Sequence, residues 1–355
     1  MQKIIISTGG TGGHVIPAQI LYDYLSDKNE VIITSDKRGA NYLDKKKYKT
    51  KQIDVPKRSQ HLFTFVPFLF SLILSIIKSY LFLRKKKINI LISTGGYMSV
   101  PICLAARFLN LKIFLFEPNL VIGRANLFLL NYCEKIFTYN KKIKNFPKKM
   151  NHKNLVIKPL IRKNIFLFKN KFAKKSIYFS ILIIGGSQGA KKFDNIFNDD
   201  LIKLSKKFKI KIYHQTSHKN LKNLKKYYLS NNINSQVFSY TNKLYKIIKK
   251  SDLAITRSGA STINELVFLG TPFLAIPFPF AKDDHQFFNA EYYVKKDLGW
   301  LIRETDINRN FLYNFTINLI KNKKLIFQKK KNMLNFQKNY NWLKSSDRLN
   351  NLILK

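Results

Sequence analysis

Residues 3–14 read KIIISTGGTGGH, a β-branched apolar run that ends in a glycine-rich turn. Residues 177–190 read IYFSILIIGGSQGA and repeat that pattern in the second half of the chain. A strand that runs into such a turn and then into a helical stretch is typical of the first βαβ unit of a parallel sheet. Each half of the chain is therefore predicted to begin its own α/β domain.

A second strand, glycine turn and helix follow in each half. They read ILISTGGY at 90–97 and LAITRSGA at 253–260, and the paired turns are 86 residues apart in the first half (Gly9 to Gly95) and 74 in the second (Gly185 to Gly259). We predict two doubly wound α/β domains, at 1–161 and 162–337, whose glycine turns lie at the carboxyl ends of their strands, where such sheets bind ligands. The helical pattern at about 338–355 leaves open whether the tail closes the second domain or returns to the first.

The composition is that of a folded and strongly basic chain. Its 355 residues are 45% hydrophobic, and 64 Lys+Arg against 20 Asp+Glu give a formal charge of +44, with only ten arginines among the basic residues. A nucleic-acid reader is expected to use Arg, so the lysines are interpreted as solvated faces and no nucleic-acid partner is expected. Cys103 and Cys133 have neither disulfide nor metal spacing, and a strand directly after Met1 leaves no room for a signal peptide. These features point to a reducing, cytosolic compartment.

One apolar stretch approaches the length of a membrane span. Residues 59–77 carry no formal charge, and twelve of the sixteen residues at 62–77 are apolar. Pro67 interrupts the stretch, and both of its flanks are basic, so there is no positive-inside asymmetry. We expect a buried or interfacial helix whose basic ends contact anionic lipid.

The glycine turns fail the common nucleotide fingerprints. Val15 stands where a dinucleotide-binding turn needs its third glycine, and Ala190 is followed by two lysines where a P-loop needs Gly-Lys-Ser/Thr. What remains is anion binding by backbone N–H groups at a helix N-terminus. GGSQG at 185–189 also spells the G-x-S-x-G nucleophile elbow, so a serine hydrolase with Ser187, Asp252 and His285 is an alternative. No metal-site pattern is present.

Seven motifs, taken as a set, resemble the MurG family of peptidoglycan glycosyltransferases. They run in family order along nearly the whole chain: TGGTGGHVIPA at 8–18, GGYMSVP at 95–101, EPN at 117–119 with GRAN at 123–126, GGSQGA at 185–190, HQ at 214–215, RSGA at 257–260 with Glu265, and HQ at 285–286 with NA at 289–290. Phe116 and Pro118 stand where the family commonly has His and Gln, while Glu117 and Asn119 remain.

The resemblance implies a GT-B fold, in which two Rossmann-like domains face a cleft. It implies an inverting, metal- and cofactor-independent transfer of N-acetylglucosamine (GlcNAc) from UDP-GlcNAc to the C4 hydroxyl of N-acetylmuramic acid (MurNAc) in lipid I, which forms lipid II for peptidoglycan. The second domain would bind the donor. The first would bind the acceptor at an anionic membrane surface, on the cytoplasmic face of the bacterial inner membrane.

Site roles also follow from the resemblance, residue by residue. His14 is expected to be the base that takes the acceptor proton, with Glu117 as the rival base. Further acceptor-side or sugar contacts are implied for Thr11, Gly12, Gly13, Tyr97 and Asn119.

On the donor side, the diphosphate is assigned to Ser187, Gln188, Gly189 and Ser258, and Arg162 is expected to brace the diphosphate or the uracil. Uracil is assigned to backbone groups at Thr241, the ribose hydroxyls to Glu265, and the GlcNAc hydroxyls to His285 and Gln286. Besides the hydrolase, three alternatives stay open: another GT-B transferase with a lipid acceptor, a UDP-GlcNAc epimerase, which shares the architecture but needs no lipid-binding patch, and a basic nucleic-acid-binding protein.

Overall fold

The computed structural model describes residues 1–55, 65–168, 176–185, 192–338 and 340–354. The chain divides into two compact units, Met1–Lys163 with Asn341–Lys355, and Asn164–Tyr340. Each unit has its own parallel sheet covered by helices, so the prediction of two doubly wound α/β domains is confirmed.

The strands of the first unit form one sheet in the order β3-β2-β1-β4-β5-β6-β7, and those of the second form another in the order β10-β9-β8-β11-β12-β13. Every pairing between these strands is parallel. Their bounds are Lys3–Ser7 (β1), Glu30–Ser35 (β2), Thr50–Gln52 (β3), Ile90–Ser93 (β4), Lys112–Glu117 (β5), Lys135–Thr138 (β6), Asn154–Val156 (β7), Phe179–Ile184 (β8), Ile210–Gln215 (β9), Ser235–Phe238 (β10), Leu253–Thr256 (β11), Phe273–Ala275 (β12) and Gly299–Leu301 (β13).

Helices connect the strands and cover both faces of each sheet. Their bounds are Gly12–Leu25 (α1), Lys37–Ala40 (α2), Phe65–Lys86 (α3), Val100–Phe108 (α4), Arg124–Leu129 (α5), Lys163–Phe168 (α6), Asn198–Lys207 (α7), Leu221–Ser230 (α8), Leu244–Lys250 (α9), Ala260–Leu269 (α10), His285–Val294 (α11), Phe311–Lys321 (α12), Lys323–Gln337 (α13) and Trp342–Leu354 (α14). Residues 192–196 are also helical.

Both sheets are buried on their two faces, which explains why the strands read as continuous apolar runs. Ile4, Ile5 and Ile6 are successive residues of β1, and none of them has measurable exposure. Successive side chains of a strand point to opposite faces, so three buried neighbours require cover on both sides. The sequence signal was strong for this reason, and β1 lies where the sequence predicts it.

The strand order reverses once in each sheet. In the first unit β1 and β4 are neighbours, and the chain moves outward from them in opposite directions; β8 and β11 have the same relation in the second unit. A crevice for ligands opens at such a switch point, beyond the carboxyl ends of the two strands. All four glycine turns therefore follow strands that border a switch point.

Helix α3 packs one face against the first unit and leaves the other exposed. Ser79 and Leu83 are buried, and Ile76, Tyr80 and Phe82 pack against the core. On the opposite face lie the exposed side chains of Leu69, Phe70, Ile73, Leu74, Ile77 and Leu81. Among the described residues, Pro67–Lys86 is the one helix long and apolar enough to cross a membrane by length and composition. Its most apolar 18-residue segment has a mean hydropathy of 1.5, and 17% of that segment is buried.

The C-terminal helix α14 packs on α1 of the first unit. Trp342 is buried, and its indole N–H donates to the carbonyl oxygen of Ile161 over 3.2 Å. The Ser346 hydroxyl and the Asn350 amide both donate to the carbonyl oxygen of Tyr24, over 2.8 and 3.2 Å. These bonds decide what the helical pattern left open, because the tail returns to the first unit.

Candidate active site

The turn between β1 and α1 is held by the carboxylate of Asp36, which directly follows β2. The backbone N–H groups of Gly10 and Gly39 donate to Oδ1 of Asp36, over 2.7 and 2.9 Å. A Cβ on Gly9 would lie 2.9 Å from both Asp36 Oδ1 and the Cβ of Met98. Only glycine fits at that position, so the backbone of the turn can pass between β2 and the second turn of the unit.

The carboxylate of Asp36 also fixes an arginine beside this turn. Arg38 Nε donates to Oδ2 of Asp36 over 3.2 Å, and the arginine side chain is 58% exposed. Burial works to raise the pKa of Asp36, but hydrogen bonds from Gly10, Gly39 and Arg38 outweigh it and lower that pKa. Sequence reasoning missed both residues, although an Asp directly after β2 was a usable signal.

Histidine 14 joins the two glycine turns of the first unit. Its Nδ1 lies 2.9 Å from the carbonyl oxygen of Thr94, which can only accept, so Nδ1 carries the hydrogen and, in the neutral ring, Nε2 has the lone pair. The second turn takes left-handed φ angles, 85° at Gly95 and 81° at Gly96. A Cβ on Gly96 would lie 3.3 Å from His14 Cδ2. The ring thus packs directly on the second turn, at the β1/β4 switch point.

Glutamate 117 is buried and saturated with hydrogen bonds. Its Oε1 accepts from the backbone N–H and the side-chain amide of Asn119, over 3.1 and 2.8 Å. Its Oε2 accepts from the N–H of Gly123 over 2.8 Å and from the amide of Asn126 over 3.0 Å. The residue is 3% exposed. This carboxylate ties the end of β5 to the start of α5 and has little capacity left for a substrate proton.

Tyr97, Thr11, Gly12 and Gly13 lie around the same two turns. Thr11 precedes α1, which begins with Gly12, and Gly13 is exposed. Tyr97 begins the short 3₁₀ segment after Gly96. Partial burial raises the pKa of Tyr97, with Arg38 opposing and Asp36 adding to that effect. The sequence-predicted acceptor-side residues therefore lie together in the first unit.

In the second unit, Gln286 bridges two backbone segments. Its Oε1 accepts from the N–H groups of Ser258 and Phe278, over 3.1 and 3.0 Å. The two donors fix the orientation of the amide, so the Nε2 group is the one that remains to donate to a ligand. Asn289 donates to the Ser258 carbonyl oxygen over 3.2 Å, and the buried Ser258 hydroxyl has no partner among the described residues.

The other predicted donor-side residues lie at separate places. Glu265 is buried in α10, and His285 begins α11 with its Nδ1 2.9 Å from the Lys282 carbonyl oxygen. The Thr241 hydroxyl accepts from the N–H of Lys243 in the loop after β10. Arg162 belongs to the first unit, where its charge acts on Asp23 and Tyr48. Ser187, Gln188 and Gly189 lie outside the described residues.

The serine hydrolase alternative fails on geometry. Asp252 precedes β11, and its carboxylate accepts from the N–H of Ser180 near the start of β8. The glycine turn that begins at Gly185 follows the other end of β8. Because the two strands are parallel, Asp252 lies at the opposite edge of the sheet from that turn and cannot complete a triad there.

Comparison with known proteins identifies the family. Residues 4–138 match the N-terminal domain of glycosyltransferase family 28, and residues 180–342 match its C-terminal domain. A relative from Pelagibacter ubique, 48% identical over 96% of both chains, is named UDP-N-acetylglucosamine–N-acetylmuramyl-(pentapeptide) pyrophosphoryl-undecaprenol N-acetylglucosamine transferase. One from Rickettsia felis with the same name is 32% identical over 95% of this chain and 96% of its own. The chain belongs to the MurG family.

The prediction of a MurG-family glycosyltransferase with a GT-B fold is therefore confirmed. The crystal structure of Acinetobacter baumannii MurG matches with a TM-score of 0.75 at 21% identity, over 100% of this chain and 99% of that one. Staphylococcus aureus MnaA with UDP matches with a TM-score of 0.67 at 16% identity, over 98% and 95%. At these identities the structures show a shared fold. Family membership makes the chain a glycosyltransferase and rejects the hydrolase.

Proposed function

We propose that this protein transfers GlcNAc from UDP-GlcNAc to the C4 hydroxyl of MurNAc in lipid I and so forms lipid II. The observation that carries the proposal is the identity of 48% over 96% of the chain with a relative named for this reaction. The two glycine turns of the first unit, joined through His14, support an acceptor site there.

The reaction is a single displacement at the anomeric carbon. The acceptor oxygen bonds to C1, the bond from C1 to the phosphate oxygen breaks, and UDP leaves with that electron pair. Attack opposite an α-linked leaving group gives a β-1,4 bond. The acceptor proton goes to Nε2 of His14, which is available because Nδ1 is bonded to Thr94. Glu117 orders the loop to Asn126 instead.

The second unit holds the donor in this proposal. The diphosphate is taken by the β8 and β11 turns, with Ser258 among their residues, and the ribose by Glu265 in α10. Gln286 donates its Nε2 to a GlcNAc hydroxyl while its Oε1 holds Ser258 and Phe278. His285 contributes beside it, and Thr241 contacts uracil.

The exposed face of α3 brings the enzyme to its lipid-linked acceptor. Its six exposed apolar residues from Leu69 to Leu81 lie along one side, and the helix ends in Arg84, Lys85 and Lys86. Apolar insertion together with basic residues favours an anionic membrane surface. We place the enzyme at the cytoplasmic face of the inner membrane, bound peripherally through this face.

The test is transfer of labelled GlcNAc from UDP-GlcNAc to a short-chain lipid I analogue. The expected product carries one β-1,4-linked GlcNAc on MurNAc. A diacylglycerol acceptor offered in parallel is expected to remain unglycosylated. Glycosylation of diacylglycerol without lipid I transfer would contradict the proposal and favour the alternative lipid acceptor.

A further inference from the structure

A buried group of three ionisable side chains connects β9, α8 and the helical residues 192–196 of the second unit. Asp194 belongs to the helical residues 192–196 that follow β8, His214 to the neighbouring strand β9, and Tyr228 to helix α8. All three are at most 2% exposed. The proposed mechanism uses none of them, yet a buried carboxylate and imidazole persist only with specific partners.

The hydrogen positions in this group of three side chains follow from their chemistry. Tyr228 Oη lies 2.7 Å from Nδ1 of His214, and burial raises the pKa of Tyr228, so the phenol stays protonated and donates. Nδ1 then accepts, and Nε2 carries the hydrogen of the neutral ring. Burial lowers the pKa of His214, with Asp194 opposing, which keeps the ring neutral.

The Nε2–H of His214 faces the carboxylate of Asp194. Nε2 and Oδ1 are 3.5 Å apart, which is a close polar contact but longer than a hydrogen bond, and neither atom has a hydrogen-bond partner among the described residues. Oδ2 of Asp194 accepts from the Thr216 hydroxyl over 2.8 Å and from the Asn220 amide over 2.7 Å. Burial works to raise the pKa of Asp194, but these bonds and His214 outweigh it and lower that pKa. Tyr228 is therefore hydrogen-bonded to His214, and the Nε2 side of the ring lies next to the carboxylate of Asp194.

Phe193, the residue before Asp194, holds the helical residues 192–196 on the side that faces Arg257. The ring of Phe193 lies under the guanidinium of Arg257, with 4.5 Å between its centroid and Cζ. Arg257 follows β11, is 5% exposed, and donates to the carbonyl oxygens of Ile276 and Pro277. Asp194 thus lies against His214 of β9, and Phe193 lies against Arg257, which directly follows β11. The strands β9 and β11 flank β8 on its two sides.

We propose that Tyr228, His214 and Asp194 form a positioning relay that holds the helical turn after β8 in the orientation needed to bind the diphosphate of the donor. The inference rests on the proposed function, because it assigns the nucleotide to this switch point. The three residues act through the turn and contact no substrate, so they are positioning residues.

The test compares Asp194→Ala with Asp194→Asn. Alanine leaves the donors of Thr216 and Asn220 without an acceptor and removes the carboxylate beside His214. We therefore expect UDP affinity by calorimetry to fall about tenfold and KM for UDP-GlcNAc to rise equally, with acceptor KM unchanged. Asparagine can donate to Nε2 if the ring changes tautomer and Tyr228 accepts. We expect D194N to recover UDP affinity to within about threefold of the unmodified chain.

Nitrogen-15 NMR reports the tautomer of His214, which would not change if Asp194 had a merely structural role. The unmodified chain should show hydrogen on Nε2, and D194N should show it on Nδ1; an unchanged tautomer overturns the relay. The matched control is Asp200→Ala, since Asp200 is another buried carboxylate of this unit and accepts from the N–H groups of Leu312 and Tyr313. D200A should leave UDP affinity unchanged, and an equal loss there would overturn the proposal.

Two further outcomes separate the relay from the proposed function. If D194A does not fold, Tyr228→Phe replaces it, with an expected loss of UDP affinity of about threefold because Nδ1 loses its donor. Unchanged UDP affinity in a folded D194A or Y228F overturns the relay. An unmodified chain that binds UDP but transfers no GlcNAc to lipid I contradicts the proposed function and leaves the relay experiments valid.

Discussion

The imidazole of His14 is bonded through Nδ1 to the carbonyl oxygen of Thr94, 2.9 Å away and 80 positions later in the sequence. This bond crosses the switch point between β1 and β4 and leaves Nε2 as the proton acceptor. Glu117 has the opposite character, because four N–H donors already occupy its carboxylate. Substitution of the two candidate bases should therefore have different effects, on turnover at His14 and on stability at Glu117.

Replacing His14 by Ala should lower kcat by roughly 10²–10⁴-fold, the usual contribution of a general base. UDP affinity should be unchanged, because the residue lies in the first unit and the donor is assigned to the second. The measurement is turnover at saturating UDP-GlcNAc and lipid I analogue. A variant that keeps more than a third of the turnover would remove His14 from the role of base.

Replacing Glu117 by Gln should act on stability. The new NH₂ group would face donors that now bond to the carboxylate, so the free energy of unfolding should fall by about 2–3 kcal/mol. Urea unfolding measures this fall, and kcat of the folded fraction should exceed that of H14A. A fully stable but inactive E117Q would make Glu117 the base.

Replacing Gly96 by Ala should disturb His14 through the backbone. Its φ of 81° makes a side chain strained, at about 1–2 kcal/mol, and the new Cβ would lie 3.3 Å from His14 Cδ2. We expect kcat to fall about tenfold because the ring is displaced.

The matched control is Gly270→Ala, where φ is 73° and a Cβ meets nothing within 4 Å. It should lose similar stability at full turnover. Equal kcat values for the two variants would show that contact with the His14 ring has no effect on catalysis.

Asp36→Asn should change the pH dependence of stability. The pKa of Asp36 is lowered in the folded state, so its carboxylate stabilises the fold above the unfolded value of about 3.9, and this stabilisation is lost as pH falls through the lower folded value. Urea unfolding at pH 6 and pH 3 should show a D36N deficit that shrinks at the acid end. Asp347→Asn, at an exposed carboxylate, should change stability by less than about 0.5 kcal/mol. A D36N deficit that is constant with pH would contradict this prediction.

Charged substitutions on the exposed face of α3 should weaken membrane binding. Ile73→Glu and Ile77→Glu should each lower the affinity for anionic vesicles about tenfold, because both side chains are exposed and available for insertion. Flotation with phosphatidylglycerol vesicles measures the effect, and neutral vesicles should bind the unmodified chain more weakly. Leu229→Glu, at a side chain 78% exposed in the second unit, should bind normally. Vesicle binding that is unchanged in both α3 variants would mean that this face does not dock.

Much of the fold could be predicted because its signals are local. An apolar strand such as β1 is buried on both faces, so burial alone dictates its composition. Left-handed turns such as Gly95-Gly96 require glycine, and the motif set pointed to the family. The position of the C-terminal helix could not be predicted, since Trp342 bonds to a carbonyl group far away in the sequence.

The sequence by itself determined two parallel α/β units, their glycine turns and the glycosyltransferase family, because these depend on residue types at short spacings. Only the tertiary structure decided how the polar groups pair. In the folded protein Glu117 accepts from four donors, and Asp36 accepts from the N–H of Gly10 in the first glycine turn. Asp252 lies at the edge of its sheet opposite the carboxyl end of β8. A buried polar group takes whichever partner the fold brings within about 3 Å, and such partners are separated in sequence by the strand order that positions them.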